Sequence, residues 1–426
     1  MPDQEVLLPK DYHITEITIT TLTGQEVDLQ DLVMELNIHE DIFNNTIYGD
    51  VVIADAKNRV SNLPITGFET LVVDFETPNK ANYRKTFRIY GVTDKGLGRE
   101  KAMLYIIRFT SQEQLTNSMV KVQKSYIGKQ IHDIVNDIHV NFLKSSSDII
   151  LEATKFMHSF VIPNWSPFRT INWLAVRANS SFYNGANYLF FENKFGFNFQ
   201  SAETLIKNNI SGYNFVDQPL NISSDGPHKD RDYSTDSVTM DSFKFLHHIQ
   251  VLENIDRGMY GNSLLTFDPI QKDWSTTTYS YKDEWDNMIH MENNKVSGDS
   301  GTKNTFLLPN TNSEDFSTSV TKFYPMNGRA DYPNKVEEWL PKRLGRMQEL
   351  QNVRVHLTVP GNSELTVGQS AKMTLYSPEP PNVNDQPVDP YYSGTYLITS
   401  VRHSIASKKY VTILELVKDS LFSALP

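Results

Sequence analysis

Phe87-Arg88-Ile89-Tyr90-Gly91-Val92 follows a glycine (Gly67), a strand-like stretch, a Thr77-Pro78 step and a polar loop, and leads into a long strand-like segment ending near Ser111. The same order returns late in the chain. Gly368 precedes a strand-like stretch, then Ser377-Pro378, a Pro-rich loop, Tyr396-Leu397-Ile398-Thr399-Ser400-Val401 and a long segment ending near Ser420. One β unit is therefore expected to occur twice, the alternative being a coincidence of generic β meanders, whose strands are also separated by Gly and Pro. Three chains with two copies each would place six equivalent units in a ring.

Around the first copy, residues 14 to 109 alternate with period two, the mark of half-buried antiparallel strands. Leu32, Met34, Leu36 and Ile38 take one face, and Val33, Glu35, Asn37 and His39 the other. Thr23-Gly24, Asn44-Asn45, Pro64 with Gly67, Pro78-Asn79 and Gly96-Leu97-Gly98 punctuate the strands as turns. After Gln112 the period changes: Ile127, Ile131, Ile134, Val135, Ile138 and Phe142 fall on one helical stripe. A second helix is expected from Pro167, with Ser166 as N-cap, followed by a hairpin whose arms flank Glu192-Asn193-Lys194. Asp241 to Ile255 reads as strand, the polar stretch 293–320 as loop, and Pro341 to Leu350 as a short helix. The last four strands run over Val353–Val359, Ala371–Tyr376, Tyr396–Val401 and Tyr410–Val417.

A chain of 426 residues is long enough for two to four domains at about 100–200 residues each. With 39% hydrophobic and 21% charged residues it is apolar enough to fold. It contains no cysteine, which excludes disulfides and thiolate zinc sites. Met1 to Lys10 carries no signal-like pattern, and no apolar run is long enough to span a bilayer, so assembly in a cytoplasm is expected. A net charge of −11 argues against tight binding to DNA or anionic lipid. The charge is unevenly spread. Residues 11 to 56 hold ten acids and no Lys or Arg, whereas residues 342 to 426 hold nine Lys or Arg against seven acids. Charge blocks of this kind also decorate ordinary solvated strand faces.

No motif carries catalysis. Gly298-Asp299-Ser300-Gly301 resembles a serine-protease nucleophile segment, but Thr302 follows it and no matching His segment lies upstream. His132 and His139 stand seven apart, outside the helical spacing of a metal pair, and His247-His248 would face opposite sides of a strand. Gly128-Lys129-Gln130 lacks the rest of a phosphate loop. A glycosidase pair of carboxylates is not excluded by spacing, and the Trp and Tyr content is compatible with sugar stacking. Trp165 and Trp173, however, read as core or interface anchors. No catalytic, cofactor or metal residue is assigned.

Two segments resemble the central baseplate hub proteins of T-even-like contractile-tail phages. One is Val161-Ile162-Pro163-Asn164-Trp165-Ser166-Pro167-Phe168-Arg169-Thr170-Ile171-Asn172-Trp173-Leu174, followed by Tyr188 to Phe197. The other runs from Arg346 through Gly361-Asn362-Ser363-Glu364-Leu365-Thr366-Val367-Gly368 to Gly394-Thr395-Tyr396-Leu397-Ile398-Thr399-Ser400-Val401-Arg402-His403. The second is also similar to the tube-type domains of type VI secretion spike proteins.

The resemblance implies a mainly β chain with α+β insertions: two tube-type antiparallel β-barrel domains and outer mixed α+β domains. The expected division is 1–112 (first tube-type domain), 113–237 (α+β), 238–258 with 345–420 (second tube-type domain), 259–344 (a loop-rich insertion) and 421–426 (a tail). It implies a non-enzymatic structural homotrimer in the tail baseplate of the virion, contacting the tail tube protein, the central spike protein and other baseplate proteins. Its pseudo-sixfold ring would match sixfold tube to threefold spike, with DNA passing transiently through the channel. The alternative is a receptor-binding or carbohydrate-cleaving baseplate component. From the charge pattern, Glu35, Asp28 and Asp50 are expected to face the channel, Glu35 because Leu32, Met34, Leu36 and Ile38 claim the opposite face of its strand. Arg354, Lys372 and Arg402 are expected at subunit interfaces.

Overall fold

The computed structural model describes residues 10–55, 65–77, 81–97, 103–208, 210–217, 237–292, 320–326, 331–377 and 388–421. The segment Gly298-Asp299-Ser300-Gly301, almost all of the polar stretch 293–320 and most of the Pro-rich loop at 377–391 lie outside the described residues, as do the side chains of His247 and His248.

Alternation at the start of the chain yields β1 (His13–Thr20), β2 (Glu26–Asp28), β3 (Val33–Asp41), β4 (Tyr48–Asp55), β5 (Thr70–Glu76), β6 (Asn82–Leu97) and β7 (Met103–Thr110). Their inward faces, among them Leu36, Ile38, Val51, Ile53, Phe87, Ile107 and Phe109, form one core. The phase of β3 differs from the expected one. A β-bulge between Val33 and Glu35 lets Leu32 and Leu36 point inward while Met34 turns out to solvent at 56% exposure.

The next segment contains β8 (Val122–Gln130), β9 (Ile149–Leu151), β10 (Met157–Trp165), β11 (Tyr188–Asn193) and β12 (Gly196–Ser201). Helices Ile131–Asp137 and Pro167–Ala175 pack beside them, the first running on into a π-helical turn at Ile138–Leu143. Ser166 and Pro167 stand at the N-cap and first helical position as expected. Ile127 does not join the helical stripe; it lies on β8 and is exposed, because the helix begins only at Ile131.

Then come β13 (Ile210–Val216) and β14 (Ser242–His248), after which Val251–Asp256 is helical rather than strand. The region read as loop-rich has its own small sheet, β15 (Gly261–Asp268), β16 (Asp273–Ser280) and β17 (Thr321–Pro325), with β15 antiparallel to β16 and parallel to β17. The helix expected from Pro341 starts earlier, at Val336, and carries Pro341 inside it to Glu349. The chain ends on β18 (Val353–Pro360), β19 (Ser370–Thr374), β20 (Gly394–Ala406) and β21 (Lys409–Lys418).

The duplication is visible in the pairing. The first unit runs β3-β4-β7-β6-β5 and the second β14-β18-β21-β20-β19, antiparallel at every step. In each, the strand at the end of this path, β5 or β19, is entered through a left-handed glycine, Gly67 at φ 91° and Gly368 at φ 82°. Each carries a bulge at the same place: Tyr90 is skipped between Ile89 and Gly91, and Thr399 between Ile398 and Ser400. The two units are fused into one 13-stranded sheet where β20 pairs with β3, and Ile405 and Tyr410 of the second unit enter the core of the first. The protein is mainly β, and no barrel closes among the described residues. No helix there is long and apolar enough to cross a membrane.

Candidate functional site

The seam between the units is the place where candidate residues converge. β3 and β20 align Asn37 with Ser404 and His39 with Arg402, while β4 sets Asp50 against Asn37. Asn37 is buried and fully engaged. Its Nδ2 donates to Glu35 Oε1 (2.8 Å) and Asp50 Oδ2 (3.0 Å), and its Oδ1 accepts from Arg402 Nε (3.1 Å), Arg402 Nη2 (2.9 Å) and Ser404 Oγ (2.9 Å). Arg402 Nη2 also lies 3.6 Å from Glu35 Oε1. Asn37 thus separates two carboxylates that would otherwise repel, and ties both to the neighbouring unit through a guanidinium. His39 stacks on Tyr48 with ring centroids 5.0 Å apart. Burial, with Arg402 adding to it and Asp50 opposing, holds its pKa below the usual histidine value.

Of the residues expected to face a channel, Glu35 and Asp50 therefore meet, and Arg402, expected at an interface, joins them across the seam. Asp28 is exposed on β2, at the far end of the sheet. Arg354 is half-buried on β18 and bonds Glu415 of its own unit (2.8 Å). Lys372 is exposed on β19, opposite Asn214 and Thr395.

Two buried charge clusters had no signal in local sequence, because their members come from distant segments. Glu40, at the end of β3, accepts from Thr366 Oγ1 and from the Val367 N–H (3.3 Å) just before β19. Nearby, Lys85 of β6 pairs with Glu192 of β11 (2.7 Å), and Glu192 accepts from the Ile47 N–H (3.0 Å). First unit, α+β segment and second unit are thereby pinned at one point. Burial, against the pull of Thr366, Lys85 and Val367, lifts the Glu40 pKa to about 7.

The other cluster is centred on Arg346, which is fully buried and lies 2.7 Å from Glu349 Oε2 and 2.9 Å from Asp419 Oδ2. His290 Nε2 donates to the Trp285 carbonyl (2.9 Å), and its Nδ1 stands 3.3 Å from Asp419 Oδ2. Burial would raise the Asp419 pKa, but Arg346 and His290 outweigh it and hold the carboxyl well below the usual range. His290, Glu349 and Asp419 bring three ligand-type atoms within 4.8 Å of one another, the one such group among the described residues. The Arg346 guanidinium already contacts both carboxylates and supplies their counter-charge, so the set reads as a clamp around an arginine.

The chain is 21% identical over 404 residues to a probable baseplate hub protein of the Vibrio phage KVP40, covering 91% of this chain and 90% of that one. The chain is thus similar along nearly its whole length to a phage baseplate hub protein. The fold of the chain is also that of two solved tail proteins. One is the 43 kDa tail protein of prophage MuSo2 from Shewanella oneidensis (9% identity, TM-score 0.56, covering 95% of this chain and 98% of that chain). The other is a tail protein from Neisseria meningitidis MC58 (8% identity, TM-score 0.55, covering 97% and 98%). No family model matches the chain. A structural role in the phage tail baseplate agrees with what is in the site: bonded charge clusters that fasten β units together.

Proposed function

We propose that the protein is the non-enzymatic hub of a contractile tail baseplate, a homotrimer whose six β units form a pseudo-sixfold ring between the tail tube and the central spike. The observation that carries this reading is the repetition within one chain of the same five-strand path, bulge and entry glycine, with the copies already fused side by side through β3 and β20. A unit that pairs laterally with its own duplicate has the geometry for cyclic assembly, and closure would remove exposed edge strands. Threefold repetition of a double unit presents six similar faces to one partner and three to another.

In this assembly Glu35 and Asp50 are channel-facing, with Asp28 at the rim of the acidic unit, and the arginines on the same face, Arg108 and Arg402, stand beside carboxylates that compete with the phosphates of DNA in transit. Arg354, Lys372 and Arg402 are the basic contacts between units, and Arg402 makes one across the seam inside the chain. Light scattering and electron-microscope class averages test the reading. A mass of three chains with six-lobed end views is expected; a monomer at high concentration would overturn it.

A further inference from the structure

The internal seam is a template for the contact that the chain leaves open. At the seam, the half of β20 beyond its bulge pairs with β3, from Ser400 opposite Asp41 to Ala406 opposite Glu35. Superposing the two units by their pairing registers matches Gly91, Val92 and Thr93 of β6 with Ser400, Val401 and Arg402 of β20. It likewise matches His39 of β3 with His247 of β14, because both lie one strand outward from the matched positions Tyr48 and Arg354. β6 pairs with β5 only up to Arg88, and among the described residues no strand lies on that side of Gly91–Thr93. β14 ends the sheet path, bonded to β18 alone among the described strands.

Burial marks the same two edges. Thr399 and Val401 are buried at the internal seam, at 1% and 0% exposure; their counterparts Tyr90 and Val92 are open at 49% and 36%. Leu36 on β3 is 1% exposed, and its counterpart Phe243 on β14 is 38% exposed, with the bulged Leu246 beside it at 40%. Side chains are thus covered where the seam exists, and their apolar counterparts are bare at the two edges that would make its equivalent.

We propose that β14 of one copy adds antiparallel to β6 of a second copy, in the register of the internal seam: Gly91 opposite Ile249, Val92 opposite His248 and Thr93 opposite His247. The occupant is a second copy of this chain, since the edge strands, the register and the bare apolar residues all derive from a seam the chain makes with itself. The inference rests on the ring reading above and assigns its subunit contact to two strands.

The chain has no cysteine, so paired cysteines report the contact without background. Thr93→Cys/His247→Cys is expected to run as a covalent trimer after mild oxidation, and neither single variant links. His39→Cys/Arg402→Cys, the internal equivalent, closes within one chain and controls for the chemistry. Amide exchange on the unmodified protein gives a second readout, with slowed exchange at 91–93 and in β14 on assembly. A trimer in solution in which this pair, Val92→Cys/His248→Cys and Gly91→Cys/Ile249→Cys all fail to link, with fast exchange at both edges, overturns the strand assignment and leaves the ring standing. A protein that stays monomeric overturns both. Covalent products running beyond three chains keep the strand pairing and overturn the closed trimer.

Discussion

Along the polar face of the sheet, the first unit sets Asp50 opposite Arg108, and the second, at the matching positions, sets His356 opposite Glu415. The path, the bulge and the apolar face are shared; the acidic and the basic side chain change places. The apolar face is held by packing, where a change of even a methylene group is felt, whereas a solvated polar face costs little to rewrite. A duplicated unit can therefore keep one backbone and still offer a neighbour a surface unlike its own. The same freedom appears inside the sheet: Gly49 of β4 matches Val355 of β18, because Phe109 and the Asn37 carbonyl fill the space a side chain would need.

The sharpest way to break the comparison is at Arg346, whose clamp belongs to the second unit alone; the position matching Asp419 in the first is Gln112. Arg346→Met leaves Glu349 and Asp419 buried without their counter-charge, and a loss of about 3–5 kcal/mol in urea denaturation is expected. Gln112→Ala, at an exposed site, should stay within about 0.5 kcal/mol.

Glu40 gives the next largest effect. Burial lifts its pKa from the ordinary 4.5 to about 7 in the folded protein, so the native state holds the extra proton and stability falls as pH rises from about 4.5 to about 7, then levels. At about 1.4 kcal/mol per unit, that slope is on the order of 3 kcal/mol. Glu40→Gln should flatten it, as measured by thermal or urea midpoints between pH 4.5 and 8; an unchanged profile would remove Glu40 as its source.

Gly49→Ala puts a Cβ 2.2 Å from the Asn37 carbonyl oxygen and 2.4 Å from Phe109 Cζ, and should cost about 1–3 kcal/mol through overpacking. Among the cluster residues, the smallest effect belongs to Arg402→Met. The pair with Glu35 is well exposed, so a loss of up to about 1 kcal/mol is expected, shrinking at high salt. A much larger loss would mean that the Asn37 cluster, more than the apolar residues, holds the seam.

The duplicated unit was legible in the sequence because Gly67 and Gly368 and the runs after them keep their order, and turn chemistry and alternation are local signals. Met34 was misplaced because a bulge shifts phase by one residue without altering composition. Ile127 fitted a helical stripe by spacing, yet pairing with β10 keeps residues 122–130 extended. β16, Asp-Trp-Ser-Thr-Thr-Thr-Tyr-Ser, has little apolar alternation and is ordered by β15, while β17 reaches the same sheet from a distant stretch of sequence. Pro341 marked the middle of a helix as its start, since proline is at home in a first turn. For the site, Glu35, Asp50 and Arg402 stand out in the sequence through its charge blocks. Asn37, which joins them, and the partners of Glu40 and Arg346 depend on contacts between segments far apart in the chain.

β20 gives its N-terminal half to β19, most of its length to β21 and its C-terminal half to β3. A load directed along β3 and β20 falls on their seven paired positions at once, as in a lap joint, whereas a load directed across them would peel the pairs apart one after another. The fusion between the two units is therefore stiff in shear and weak in peel. Since the bulge at Thr399 leaves β20 just before the seam begins, it sets the bend at which that joint meets the rest of its sheet.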